Sequence, residues 1–120
     1  MPHIRLTVSR NAATSSDFSW LLPTLVELLC RFETIDPTAV KAYADVREHW
    51  AMGVGAPAGF VHCEVSLLTG RSQELRSRIS EAFVVELERW FHTLVVTREV
   101  GVGVEVREMD AATYRKVKKP

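Results

Sequence analysis

The sequence predicts an α+β fold: a four-stranded sheet with two helices packed on one face, built in the order β-α-β, loop, β-α-β. Three observations carry this expectation. Residues 2–8 and 60–68 alternate apolar and polar, the period of a strand with one buried face. Residues 17–32 and 72–94 repeat their leucines and aromatics at helical spacing. Between the halves lies a segment punctuated by Gly53, Gly55, Pro57 and Gly59, which reads as a loop. The halves match in architecture without a residue-by-residue repeat.

The first strand, Pro2 to Val8, puts Pro2, Ile4, Leu6 and Val8 on one side. Proline has no N–H for a ladder, but the first strand position tolerates it. Ser9 to Ser16 is polar and reads as a loop. From Asp17, a side chain suited to an N-cap, a helical stripe runs through Leu21, Leu22, Leu25, Leu28, Leu29 and Phe32. Pro23 fits only in a first turn, so the regular helix is expected from about that residue. Asp36-Pro37 marks a turn with a short helical piece after it. Residues 42–52 alternate again, with Ala44, Val46, Trp50 and Met52 opposite Tyr43, Asp45, Arg47 and His49.

Phe60 to Leu68 is the third strand, with Val61, Cys63, Val65 and Leu67 on one face. Gly70 ends it, Ser72 caps, and one long helix carries Leu75, Ile79, Phe83, Leu87, Trp90 (with Phe91) and Leu94. Val100 to Val106 is the last strand, and Tyr114 to Pro120 a loose basic tail. The second sheet face then bears His3, Arg5, Thr7, Tyr43, Asp45, Arg47, His49, His62, Glu64, Ser66 and Glu105. Such a mixed surface meets either water or copies of itself.

Composition narrows the function. The 120 residues suit one domain, 1–120, and 15 basic against 15 acidic side chains argue against a dedicated nucleic-acid binder. No apolar run approaches the ~20 residues that span a bilayer, and no export signal is visible. Cys30 and Cys63 lie outside any CxxC spacing and read as reduced core thiols of a cytoplasmic protein. His49, His62 and Cys63 do not make a metal site: His62 and Cys63 point to opposite faces of one strand, and no zinc spacing appears. Gly101-x-Gly103 lies inside a valine-rich strand, where it lets another backbone approach closely. Trp20, Trp50 and Trp90 read as packing residues, Trp50 also as a pocket wall; Lys116, Lys118 and Lys119 read as a solvated tail.

The most informative pair is Met1-Pro2. Methionine aminopeptidases remove Met before a small residue, which would leave Pro2 as a free secondary amine. An α-amino group titrates at roughly 7.7–8.0. At the edge of an apolar core beside a guanidinium, its cationic form is disfavoured and its pKa falls, as a general base requires. A retained Met1 would instead leave a non-basic amide.

Pro2-His3 opening a strand, Arg47-x-His49-Trp50, Phe60-Val61-His62 and Gly70-Arg71-Ser72-x-Glu74-x-Arg76 at a helix start together resemble the 5-carboxymethyl-2-hydroxymuconate isomerases. These belong to the tautomerase superfamily, with 4-oxalocrotonate tautomerase and macrophage migration inhibitory factor. The resemblance covers nearly the whole chain. It implies a homotrimer of β-α-β-β-α-β subunits, helices outside and sheets around a central channel, with active sites near subunit boundaries. It implies a cofactor-free, metal-free tautomerase or isomerase of aromatic catabolism that moves a proton on a small unsaturated 2-hydroxy or 2-oxo acid. Pro2 is then the general base and acid, and Arg71 binds and polarises the substrate. Arg71 stands just before Ser72 at a helix start, where backbone N–H groups add anion affinity.

Arg47 is a second substrate-binding candidate, set against the plainer reading of an ion pair with Asp45 or Glu64. One departure stands out: the family's second functional arginine falls at Asp45, whose charge would repel a second substrate carboxylate. Arg47 or Lys41 are the available substitutes. The alternative of another class is a non-catalytic ferredoxin-like ligand-binding or regulatory module, which shares the element order and needs no free N-terminus.

Overall fold

The computed structural model describes residues 2–13 and 17–117. Strand β1 (His3–Ser9) leads into helix α1 (Arg10–Ala13), then α2 (Phe18–Cys30), a 3-10 turn (Pro37–Ala39) and β2 (Lys41–Arg47). The second half runs β3 (Gly59–Leu68), α3 (Gln73–Trp90), α4 (His92–Val96) and β4 (Val100–Met109). The sheet order is β2-β1-β3-β4. β1 lies parallel to β2 and antiparallel to β3, and β3 lies parallel to β4. This is the expected four-stranded mixed sheet with helices over one face.

The alternation in β1 and β3 decides which face is covered. Ile4, Leu6, Val8, Val61, Cys63, Val65 and Leu67 are at most 1% exposed and meet Leu21, Leu25 and Leu29 of α2 and Ile79, Phe83 and Leu87 of α3. The opposite face holds the residues paired in register: His3 with Lys41 and Ser66, Arg5 with Tyr43 and Glu64, Thr7 with Asp45 and His62.

Several boundaries differ from the sequence expectation. Part of the expected loop at 9–16 is helical, because Ala12 is fully buried and Asn11 ties the turn down through Glu99 O at 2.8 Å; residues 14–16 lie outside the described set. Helix α2 starts at Phe18, capped by Asp17 accepting from the Ser19 N–H, so Pro23 is internal. The cost of a mid-helix proline is outweighed there by burying Leu21 and Leu25 on either side of it. β2 stops at Arg47, so His49, Trp50 and Met52 belong to the following loop.

The long helix ends at Trp90, and Leu94 sits on the separate α4. Its Ser72 cap is confirmed, accepting from the Leu75 N–H at 3.1 Å. β4 runs on to Met109. Trp20 is not a packing residue: it is 70% exposed. A Cβ added at Gly101 or Gly103 would meet only Pro57 at 3.5 Å or His62 at 3.6 Å, ordinary contact, so no backbone of this chain lies close over either glycine. Of the basic tail, Tyr114–Val117 is described and Tyr114 is half-buried, whereas 118–120 lie outside the described residues.

Candidate active site

The sheet topology brings one end of four strands together. The starts of β1 and β2 and the finishes of β3 and β4 coincide, because His3 pairs with both Lys41 and Ser66, and Leu68 with Met109. Pro2 precedes β1 at this end and is buried. Its carbonyl accepts the Lys41 N–H at 3.1 Å, which fastens the start of β2 beside it.

Arg71 reaches the same end from the other side. Gly70, at φ +122°, turns the chain sharply out of β3, and Arg71 follows at the threshold of α3. Its Nε donates to Thr34 Oγ1 at 3.0 Å, Nη2 to Thr34 O at 2.8 Å and Nη1 to Leu68 O at 3.2 Å. Of the five N–H donors of a guanidinium, these bonds use three and leave two for a ligand. Arg71 is thus not a solvated loop side chain; it clips the chain beyond α2 to the end of β3.

Beside Pro2, His3 is a neutral-leaning imidazole. Burial first, and the Lys41 charge second, lower its pKa from the ordinary 6.5. Its Nε2 is sequestered from solvent with no hydrogen-bond partner, and its ring meets that of Tyr114 edge-on at 6.2 Å and 87°.

Arg47 lies at the opposite end of β2, opposite Ser9, six residues from the His3–Lys41 pair. At ~3.3 Å per residue that is roughly 20 Å from the proline end. There it lines an open groove of about 660 Å³ with Arg5, Met52, Phe60, His62 and Glu64. Among the described residues it makes no ion pair, contrary to the plainer expectation for it. β1 separates β2 from β3, and both carboxylates have other partners. Asp45 is taken by Arg5 at 3.1 Å, and Glu64 by Arg107 at 3.4 Å.

Asp45 also lies well away from Pro2, opposite Thr7 and four residues along β2 from Lys41, about 13 Å by the same rise. The basic residue whose backbone adjoins Pro2 is Lys41. The sequence carried a signal for this: Lys41 shares the alternation of Tyr43 and Asp45 and so the face of His3. Tyr114 carried no comparable signal.

Among the described residues, His62, Glu64 and Glu105 place ligand-type atoms within 4.8 Å of one another. They form one charge network with Arg107, His62 Nε2 standing 4.0 Å from each carboxylate. Burial pushes the Cys63 thiol up to about 12, with Glu64 adding to it, so at neutral pH it is not a thiolate nucleophile. No described helix is long and apolar enough to cross a membrane.

Comparison with known proteins follows the same line. The sequence profile of the family described as 5-carboxymethyl-2-hydroxymuconate isomerase matches residues 2–119. No curated protein matches the chain significantly in sequence. Among solved structures, a 5-carboxymethyl-2-hydroxymuconate isomerase from Deinococcus radiodurans R1 superposes with a TM-score of 0.86 at 23% identity, over 98% of this chain and 90% of that one. A 5-carboxymethyl-2-hydroxymuconate delta-isomerase gives 0.84 at 18% identity, over 99% and 89%. A fused 4-OT wild-type symmetric trimer gives 0.63 at 19% identity, over 90% and 85%.

Proposed function

The chain belongs to the 5-carboxymethyl-2-hydroxymuconate isomerase family and is an isomerase of the tautomerase superfamily, and we propose that it moves a proton on a small unsaturated 2-hydroxy or 2-oxo dicarboxylic acid, with Pro2 as general base and acid. What supports this reading best is that the fold brings Pro2 and Arg71 to one end of the sheet, with Lys41 opening the strand next to Pro2. A substrate lying across the start of β1 would meet positive charge at each end.

In this reading Met1 has been removed and Pro2 is a secondary amine. Burial at the edge of the apolar core favours its neutral form. The amine accepts a proton from the substrate's 2-hydroxyl or from a carbon next to the unsaturation, and the ammonium so formed returns it to another carbon. No proton is gained or lost overall. The two uncommitted N–H groups of Arg71 face the developing enolate oxygen or its carboxylate, where a planar donor pair fits best. Lys41 holds the distal carboxylate.

The working unit proposed is a homotrimer, the state named for the fused 4-OT relative. Arg47, roughly 20 Å from Pro2 along its own strands, enters a site only where a neighbouring copy brings it there.

The test is ultraviolet ketonisation of 2-hydroxymuconate and its 5-carboxymethyl relative by untagged protein whose mass shows that Met1 is gone. Pro2→Ala should lower turnover by at least 10²-fold, in the range of lost general acid–base catalysis, with an unchanged melting curve. Undiminished turnover in Pro2→Ala would remove Pro2 from the mechanism. A stable monomer in sedimentation at micromolar concentration would remove the trimer.

A further inference from the structure

We propose that residues 110–117 form a strap over the proline end of the sheet, and that Tyr114 is a positioning residue of the site there. This rests on the assignment of Pro2 made above.

β4 finishes at Met109 at the same end as Pro2, and the chain does not leave the sheet. Thr69, just past β3, holds it first: its N–H donates to Met109 O at 2.9 Å and its Oγ1 accepts the Ala111 N–H at 3.3 Å. Asp110 then makes the turn. Its side chain accepts the Ala112 N–H at 2.9 Å and its carbonyl the Tyr114 N–H at 3.0 Å. The turn delivers the Tyr114 ring onto His3, the first residue of β1. Further on, the charge of Lys116 acts on Asp36, which caps the 3-10 turn leading into Lys41. The segment therefore runs from β4 past the end of β3 to His3 on β1, the residue that follows Pro2.

Three features suit a closing element. Tyr114 is half-buried while every other residue from 110 to 117 is exposed, so its ring is the side chain by which the segment packs on the sheet. Under it, His3 Nε2 is sealed from water. The strap is also held by few and exposed hydrogen bonds, the kind of segment that opens at small cost. Of the elements that meet at this end, β1, β2 and α3 are integral to the core, whereas the strap is the one held mainly at the surface and able to lift. Closed, it excludes water and strengthens the pull of Lys41 and Arg71 on an anionic substrate.

The experiment compares Tyr114→Ala and Tyr114→Phe with the unaltered protein. The first readout is independent of activity: the NMR titration of His3. The groups acting on that ring are Lys41 from β2, the chain's amino terminus and Tyr114 from the strap, with Arg107 one strand beyond Ser66. Tyr114→Ala should move the His3 titration upward as water reaches the ring, and Tyr114→Phe should leave it in place. The second readout is the kinetic profile. Tyr114→Ala should raise KM about tenfold and move the acidic limb of kcat/KM toward the roughly 7.7–8.0 of a free amino group, and Tyr114→Phe should restore both. His3 unmoved in Tyr114→Ala would overturn the strap. His3 moved with KM and pH profile unchanged would overturn the role of Tyr114 in the site. If turnover proves independent of Pro2, the functional reading fails and with it that role, while the His3 titration still decides the strap.

Discussion

Arg5 and Asp45 bridge β1 and β2 at 3.1 Å in the middle of the open sheet face, four residues down β2 from the lysine that adjoins Pro2. Asp45 therefore neutralises a neighbour in its own sheet, about 13 Å along the strand from its own chain's proline end. Both partners are about two-fifths exposed, 41% and 42%, so water screens the pair. An exposed pair of this kind contributes about 0.2–1 kcal/mol.

Asp45→Asn should consequently cost less than about 1 kcal/mol and leave the ratio of kcat/KM for dicarboxylate over monocarboxylate substrates unchanged. Lys41→Gln should lower that ratio about tenfold, the equivalent of ~1.4 kcal/mol. Urea titrations and paired substrate assays measure the two effects. A changed ratio in Asp45→Asn would put that carboxylate back at the site.

A second prediction concerns the far end of the sheet, where Ser9 is wholly buried. Its Oγ accepts the Phe60 N–H at 2.8 Å and donates to Asn11 Oδ1 at 2.5 Å. A Cβ added to Gly59 would collide with both the Ser9 hydroxyl and the Asn11 amide. Gly59→Ala should then destabilise by roughly 1–3 kcal/mol through overpacking. Ser9→Ala should cost a similar ~1–3 kcal/mol by stranding a buried N–H. Because the two changes share one contact, the double variant should cost less than their sum, a coupling that denaturant melts of all three proteins would show. Strict additivity would separate the two residues.

What the sequence disclosed and what it hid divide along a physical line. Strict alternation in residues 2–8 and 60–68 specified both faces of the two central strands, because one slipped position would exchange core for surface. Ser72 and Asp17 announced their helices through their caps. Pro23 misled, because local propensity says nothing of the leucines buried on either side of it. The Arg47 pairing misled for a related reason: distance along one strand is visible in the sequence, but which strand lies next to it is not. For the proposed site, Pro2 and Arg71 were read from motifs, and the fold brings them to one end of the sheet. Lys41 became distinctive only when the parallel register set it against His3. Tyr114 depended on a chain reversal after β4 that no periodicity encodes.

The third prediction is a pH dependence of stability with two separate windows. The His3 pKa is lowered in the fold by burial and by Lys41, from 6.5. Between the lowered value and 6.5 the unfolded chain binds more protons than the native one, so stability rises with pH there. The full penalty is present below both values and absent above 6.5. Glu33 and Asp36 act in a lower window. Hydrogen bonds from Arg78 and Thr38, respectively, hold them below their ordinary 4.5 and 3.8. Their contribution is present above those values and lost as pH falls through the depressed ones. Urea midpoints should thus decline in two steps on acidification, and His3→Gln should flatten only the upper one. An upper step that survives His3→Gln would assign it elsewhere.

The last prediction separates the two duties of Arg71. Its bonds to Thr34 and Leu68 hold the end of β3 against the chain beyond α2, and its two uncommitted donors face a ligand in the proposed reaction. Arg71→Ala should lower both stability, by about 1–2 kcal/mol for partly exposed hydrogen bonds, and kcat/KM, by roughly 10²–10³ as for a lost oxyanion donor. Arg71→Lys keeps the charge but not the planar fork. A lysine ammonium can still reach one acceptor of the clip, so part of the stability should return, while kcat/KM stays at least tenfold down. The reverse result, stability still lost and activity recovered, would mean that charge alone serves the substrate and that the fork belongs to the fold. Thermal melts and steady-state kinetics on the same two variants decide between these outcomes, since a purely structural arginine would move activity and stability together.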